Sequence, residues 1–390
     1  MADIVDIYNG IQTSAEKVYK IEGKTIVSED ENYVKFRVRD KEYMIERGIL
    51  RLYFKPTRTE QGALDTYSDI NQVKVNYNIF PYDENGSFIT KNIMETQYPH
   101  AWEYLLEHKD TLLPKSLGGN RDVQPIVSDK DEWYRYGRSQ AITSLNNRDK
   151  IIVGVNRKKD DPLYLMDKTH YLIASGGTAG YVGISLKEDS EYQLEYIHAW
   201  LSHPWTDWYL QSIGSDFEGG FIARGTYTLP MVPFIKLDFA DKKQKELYDQ
   251  VVSNTRRIGE LNEELLSRKD KATQNVLEKE KNRLIKKNEE MITKVYQQKF
   301  LGDHMKLKED SSVQKLRGAY YTPLPLAEMM VKLFASRMDC KNVLEPSCGD
   351  GVLFGCVNLN LIVLKRYASI DAVEIDGVEA KKSRRKNESL

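Results

Sequence analysis

The stretch VLEPSCGDGVLF, Val343 to Phe354, decides how the last part of the chain is read. Val343 to Glu345 suit a strand, Gly349 and Gly351 mark a turn, and apolar residues resume at Val352 as in a helix. A strand that runs through a glycine turn into a helix presents main-chain N–H groups and a strand-end carboxylate to a small cofactor. Such a turn ordinarily opens a large α/β domain, yet 36 residues follow Phe354 (390 − 354). Before it, YYTPLPLAEMMVKLFASRM predicts an extended entry and an amphipathic helix started at Pro325. After it, SIDAVEID predicts a second strand ending in acids. Residues 318–390 therefore read as one β-α-β unit, preceded by a polar linker at 302–317.

Cofactors with a ribose and a zwitterionic tail need a turn without side chains, a carboxylate for the ammonium and another for the ribose hydroxyls. Gly349 and Gly351 supply the first, Glu345 the second and Glu374 the third. Glu374 lies 29 residues beyond Glu345 (374 − 345), which suits one strand–helix–strand excursion of about 30 residues.

Further upstream, residues 238–301 are long, charged and nearly free of proline and glycine. Leu247, Val251, Ile258, Leu261 and Leu265 recur at helical intervals, and Leu277, Leu284 and Met291 recur every seven residues. Two amphipathic helices separated by the polar interval SRKDKATQN predict an antiparallel hairpin, because neither could bury its seam alone. Residues 1–237 are mixed and strand-rich: YVKFRV, VKVNYNIFPY, KIIVGV and YTLPMVPFIKL predict strands, while YPHAWEYLLEHKDTLL and YQLEYIHAWLSHPWTDWYL predict helices. The paired glycines 118–119, 176–177 and 219–220 predict tight turns or a close approach of backbone to a ligand.

Composition sets outer limits. A chain of 390 residues, 41% apolar and 29% charged, has material for about two to three domains. It shows no basic-then-apolar leader and no apolar run of the roughly 18 residues a membrane span requires, so the expectation is a cytoplasmic protein with no membrane partner. Cys340, Cys348 and Cys356 lack CxxC spacing and read as reduced thiols, and the six histidines lack metal-ligand spacing; no metal site is expected. A net charge of −1 leaves room only for local basic faces. The clearest are WYRYGR (Trp133–Arg138), RKK (Arg157–Lys159) and KKSRRK (Lys381–Lys386). In the first, Arg135 and Arg138 stand among Trp133, Tyr134 and Tyr136, a pattern of phosphate-binding forks beside stacking rings.

Together GAYYTP, VLEPSCGDGVLF and AVEID resemble the opening of the adenine-specific DNA amino-methyltransferases of restriction–modification systems, which bind S-adenosylmethionine. The resemblance covers about the last 75 residues. It implies cofactor contacts from Tyr321 and Thr322, from Glu345, Pro346, Ser347, Cys348, Gly349 and Gly351, and from Glu374 and Ile375. A second resemblance joins NGIQTSAEKVYKI, IERGILRLYFKP, IFPYDENG, EWYRYGRSQAI and SDFEGGFIARGTYTLPMVPF to the TaqI-like specificity domain, which in such enzymes follows the catalytic domain and reads DNA. It implies double-stranded DNA as partner, with Arg135, Arg138, Arg157, Lys158, Lys159, Gly219 and Gly220 as candidate contacts.

The family's acceptor motif, [N/D/S]-P-P-[Y/F/W], holds the target amine as charge develops and gives the flipped base an aromatic shelf. No such tetrapeptide occurs here, and no catalytic residue is assigned. The expected fold is an α+β specificity domain, an antiparallel helical hairpin and a partial Rossmann-like methyltransferase fragment. The expected function is DNA recognition by a truncated or split methyltransferase that is catalytically silent alone. Two alternatives stand beside it: the active half of an enzyme completed by another subunit, and a stand-alone DNA-binding or interaction protein.

Overall fold

Short apolar runs broken by turns form five small sheets in the computed structural model, which describes residues 1–143, 148–158, 161–175, 180–213, 216–217, 221–301, 342–345 and 369–372. The chain divides into two units, Met1–Ile292 and Thr293–Leu390. In the first, an antiparallel central sheet runs in the order Val5–Asn9, Tyr181–Leu186, Lys150–Gly154, Tyr164–Asp167. Its inner strands IIVG and YVGIS carry buried residues throughout, as strands covered on both faces do. A second sheet (Leu172–Ile173, Leu50–Phe54, Asn76–Ile79, Lys20–Ile21) and a three-stranded meander (Ile26–Glu29, Tyr33–Val38, Lys41–Glu46) build out from the aromatic core.

One helix covers the central sheet. All eight residues of Leu194–Leu201 are buried, because the sheet lies against one side and the helix Lys242–Ser267 against another. The sequence reading ran this helix on to Leu210. The structure breaks it at Ser202–His203 and restarts it as Pro204–Ile213, since Pro204 cannot donate to the turn before it and disfavours helix in its predecessor. YTLPMVPFIKL, read as a strand, is a 3₁₀ turn at Leu229–Met231 followed by irregular chain; Pro230 and Pro233 leave no amide for a ladder.

Helices Lys242–Ser267 and Lys271–Leu301 flank a three-residue connection, so the polar interval is mostly helical. Asp270 caps the second helix, accepting from the Thr273 amide at 2.8 Å. Side-chain contacts show the two helices antiparallel over the first unit: Ile258 and Leu261 pack with Leu277 and Leu284, and Lys281 reaches Asn262. A buried polar layer crosses the same seam. Asn254 donates to Asn288 at 2.8 Å and Asn288 donates to Thr255 at 3.1 Å, which penalises any shifted register that would leave these amides unpaired. His203 ties the hairpin down, its Nε2 donating to the Glu289 carbonyl while Nδ1 accepts the Trp205 amide.

Arg121 is the tie of the aromatic half. Its guanidinium is buried, and it donates to the carbonyls of Leu112 (2.7 Å), Thr13 (3.1 Å), Arg135 (2.6 Å) and Trp133 (2.8 Å). Nearby, Gly137 passes so close to Ser14 that a Cβ would sit 1.8 Å from its Oγ, which requires glycine there. Among the described residues no helix is long and apolar enough to cross a membrane.

Two outcomes follow for stability. Arg121→Met should lower the unfolding free energy in urea by roughly 3 kcal/mol or more, because buried carbonyls left without donors cost about 1–3 kcal/mol each; a loss under about 1 kcal/mol would show that water replaces the guanidinium. Burial pushes the His203 pKa down to about 4 from 6.5, so the unfolded chain binds the proton first and stability, complete above pH 6.5, falls as pH drops towards 4. His203→Gln should flatten that part of the pH profile, and an unchanged profile would remove His203 from it.

Candidate nucleic-acid interface and cofactor turn

In the second unit, Asn342–Glu345 and Ser369–Ala372 pair as parallel strands, with Asn342 opposite Ser369 and Glu345 opposite Ala372. Parallel neighbours cannot be joined by a hairpin; the 23 residues between them (368 − 345) are enough for a crossover. The register brings the end of Glu345's strand level with the end of the second strand, two residues before Glu374. Tyr321, Thr322, Pro346, Ser347, Cys348, Gly349, Gly351, Glu374 and Ile375 lie outside the described residues.

In the first unit, the WYRYGR segment proves to be core. Trp133, Tyr134 and Tyr136 are almost wholly buried, and the two tyrosine hydroxyls are committed: Tyr134 donates to the Ile89 carbonyl, and Tyr136 to the Ile79 carbonyl and Asn78. The reading of these rings as stacking platforms is therefore corrected. Interleaved arginines and aromatics arise here because strongly apolar rings enter the core while the residues between them point outward. Arg135 lies over the Phe88 ring, 4.6 Å from its centroid, and pairs with Glu132 at 2.8 Å. Arg138 pairs with Asp122 at 2.6 Å. Both guanidiniums remain partly exposed, so each could exchange its carboxylate for a phosphate.

Arg157 has a different place. It is buried and spans a loop, donating to the carbonyls of Gln61 and Leu64 at 3.0 Å and to the Asp161 carboxylate at 2.7 Å. That environment makes it a brace for the fold. Its neighbour Lys158 is exposed and, among the described residues, unpaired; Lys159, Gly219 and Gly220 lie outside them. The strands Asn156–Lys158, Phe221–Ala223 and Asp216–Phe217 form one small antiparallel sheet, so Lys158 stands opposite Phe221 at the foot of the Gly219–Gly220 segment. Buried Arg224 joins that sheet to the helix Pro204–Ile213 by contacts to Asp207 and to the Arg157 carbonyl. Trp205 and Trp208 on that helix and Tyr227 beyond Arg224, 40%, 51% and 77% exposed, are large aromatics left at the surface.

A cleft of about 390 Å³ opens between the Thr66–Asn71 loop, the helix Leu194–Leu201 and the first hairpin helix. At its edge one oxygen of buried Glu195 accepts from both Lys168 (2.8 Å) and Arg256 (3.0 Å). Burial alone would raise this carboxyl's pKa, but the two cations hold it below the usual range. Sequence reading missed this triad and Arg121, as no spacing announces a partner tens of residues away. Among the described residues no cluster of histidine, cysteine and carboxylate side chains suits a metal ion.

No family model matches the chain. It is 34% identical over 259 residues to the Type II restriction enzyme and methyltransferase RM.Eco57I of Escherichia coli, a match that covers 66% of this chain and 25% of that protein. The chain thus spans about a quarter of its relative's length. Since 89 residues follow Leu301 (390 − 301), at least about 170 of the matched positions (259 − 89) fall in residues 1–301. The likeness to a restriction–modification methyltransferase therefore extends well into the first unit.

Proposed function

We propose that the chain is the DNA-recognition part of an adenine-specific methyltransferase of a restriction–modification system. In this reading residues 1–237 form a TaqI-like specificity domain, residues 238–301 its helical hairpin, and residues 318–390 the start of an S-adenosylmethionine-binding unit. The reach of the similarity into residues 1–301 carries it, and the parallel strand pair supports the cofactor-unit assignment.

S-adenosylmethionine would supply the transferable methyl group. The chain's own part would be to hold the methionine end at Tyr321, Thr322 and Glu345, pass the turn Pro346–Gly351 beside it, and bind the ribose through Glu374. What the sequence lacks is the acceptor tetrapeptide, so no group here would hydrogen-bond the adenine amine as charge develops. The chain alone should then be catalytically silent. A second reading, an active half completed by another subunit, is favoured by the parallel pair, because two parallel strands need further strands and helices to cover both faces.

Fluorescence anisotropy with duplex DNA and tritium transfer from S-adenosylmethionine test these statements. The full chain should bind DNA with an affinity that falls by about 0.9 log units per log unit of salt for each phosphate neutralised. Arg135→Ala with Arg138→Ala should weaken binding and flatten that slope; an unchanged slope would make both arginines structural. No tritium should reach adenine from the chain alone. Incorporation by the purified chain would overturn the silent reading, and incorporation only on adding a second subunit would favour the split enzyme.

A further inference from the structure

On the second hairpin helix, a row of exposed cations forms no ion pair among the described residues. Along the first helix, four of the five cations are matched: Lys242 contacts Glu246, Lys245 contacts Asp249, Arg256 contacts Glu195, and Arg257 reaches Glu260, Glu264 and Glu280, while Lys243 forms no ion pair among the described residues. The second helix differs. Lys279, Arg283 and Lys286 are all exposed and form no ion pair among the described residues. Their steps of four and three residues place them on one helix face. That face points away from the seam, which is filled by Leu277, Leu284 and Asn288.

Four acids lie closest in sequence: Glu280, next to Lys279, is taken by Arg257, and Glu290 follows Lys286 by four residues on the same face. Glu278 and Glu290 are exposed and flank the row, and half-buried Glu289 has its carboxyl pKa raised by burial, with Lys286 as a smaller opposing influence. None forms an ion pair with the three cations among the described residues. At the near end, the turn adds exposed Arg268, Lys269 and Lys271, while the acid there, Asp270, is occupied as the helix cap. Six exposed cations (Arg268, Lys269, Lys271, Lys279, Arg283 and Lys286) stand against three exposed acids (Asp270, Glu278 and Glu290), a local excess of positive charge in a chain of net charge −1.

We propose that the row Lys279, Arg283 and Lys286 is a second DNA contact, which grips the duplex backbone outside the bases that are read. The inference rests on the recognition reading and adds a surface to it. Seven residues of helix span about 10 Å at 1.5 Å per residue. One strand of duplex presents about three phosphates over that length, at about 3.4 Å of axis each. Charge and length therefore match a short run of backbone. Exposed cations spaced like successive phosphates suit the backbone, whose contacts position a protein without carrying sequence information, so the row's contribution is independent of sequence. The hairpin would lengthen the footprint and hold the recognition unit in register while the bases are tested.

The full chain carrying Lys279→Gln, Arg283→Gln and Lys286→Gln tests this, with Lys242→Gln, Lys243→Gln and Lys245→Gln as a control of equal charge change on the first helix. Circular dichroism melts should superimpose for all three proteins, since every substituted side chain is exposed. The ridge variant should lose affinity for every duplex alike and lower the salt slope by about 2 to 3, from three phosphates at about 0.9 each. Its preference for one sequence over another should stay as in the parent. If the parent binds DNA and the ridge variant keeps the parent slope, or loses no more slope than the control, the ridge proposal is wrong and the recognition reading survives. A loss confined to one sequence would also overturn it, because that would make the row a base reader. If the parent binds no DNA at low salt, the recognition reading itself fails, and the ridge proposal fails with it.

Discussion

The fold of the first unit turns on a buried cation, Arg121, that forms no ion pair among the described residues. Arg121 distributes its charge over four main-chain carbonyls drawn from residues 13, 112, 133 and 135. Lysine could not do this, since its point charge lacks the planar fork that reaches several acceptors at once. By holding Thr13, Trp133 and Arg135 together, the guanidinium fixes the loop that carries WYRYGR against the N-terminal segment, and Gly137 lets the two backbones meet. The three rings then have no place except the core. Arg135 and Arg138 come to the rim of that loop as a result of packing, already oriented by Glu132 and Asp122. A surface built this way is rigid, and rigid placement reduces the entropy lost on binding.

The second dependence runs outward through layers. The central sheet buries the helix Leu194–Leu201, that helix supports Lys242–Ser267, and the latter carries its antiparallel partner. Each layer adds a polar key to the apolar contact: Lys150 with Asp167 inside the sheet, Glu195 with Arg256 between helix and hairpin, Asn254 with Asn288 inside the hairpin. Keys of this kind add little net stability, because desolvation offsets much of the attraction. They penalise misaligned packings, which matters when two helices of similar seam could slide by a turn. A hairpin locked in one register presents Lys279, Arg283 and Lys286 at a fixed distance from the sheets it packs on.

Local chemistry was legible from sequence where one period or one residue dictated the outcome. The hairpin followed from apolar steps at 251, 258, 261, 277 and 284, all buried. YVKFRV and the strand NVLE followed from β-forming runs. Misreadings arose where tertiary context overrode pattern. Pro204 split a helix whose apolar spacing continued through it, and Pro230 and Pro233 removed a strand from a β-rich string. Trp133, Tyr134 and Tyr136 read as a surface because aromatics next to arginine occur both in cores and in nucleic-acid sites, and only burial separates the two. Arg157 shows the same ambiguity from the basic side. The residues expected to hold the cofactor came from the resemblance more than from spacing and, Glu345 apart, lie outside the described residues, which include the parallel pairing of Asn342–Glu345 with Ser369–Ala372.

The proposed recognition role requires that this chain read DNA sequence by itself. Selection from a pool of duplexes with a randomised interior, using the full chain at moderate salt and sequencing what is retained, tests it most directly. Base-edge contacts discriminate by about 1–3 kcal/mol each, so a few of them should enrich one short motif within a few rounds. Enrichment of a single motif is the result expected here; retention of DNA with no motif, or retention of none, would contradict the claim.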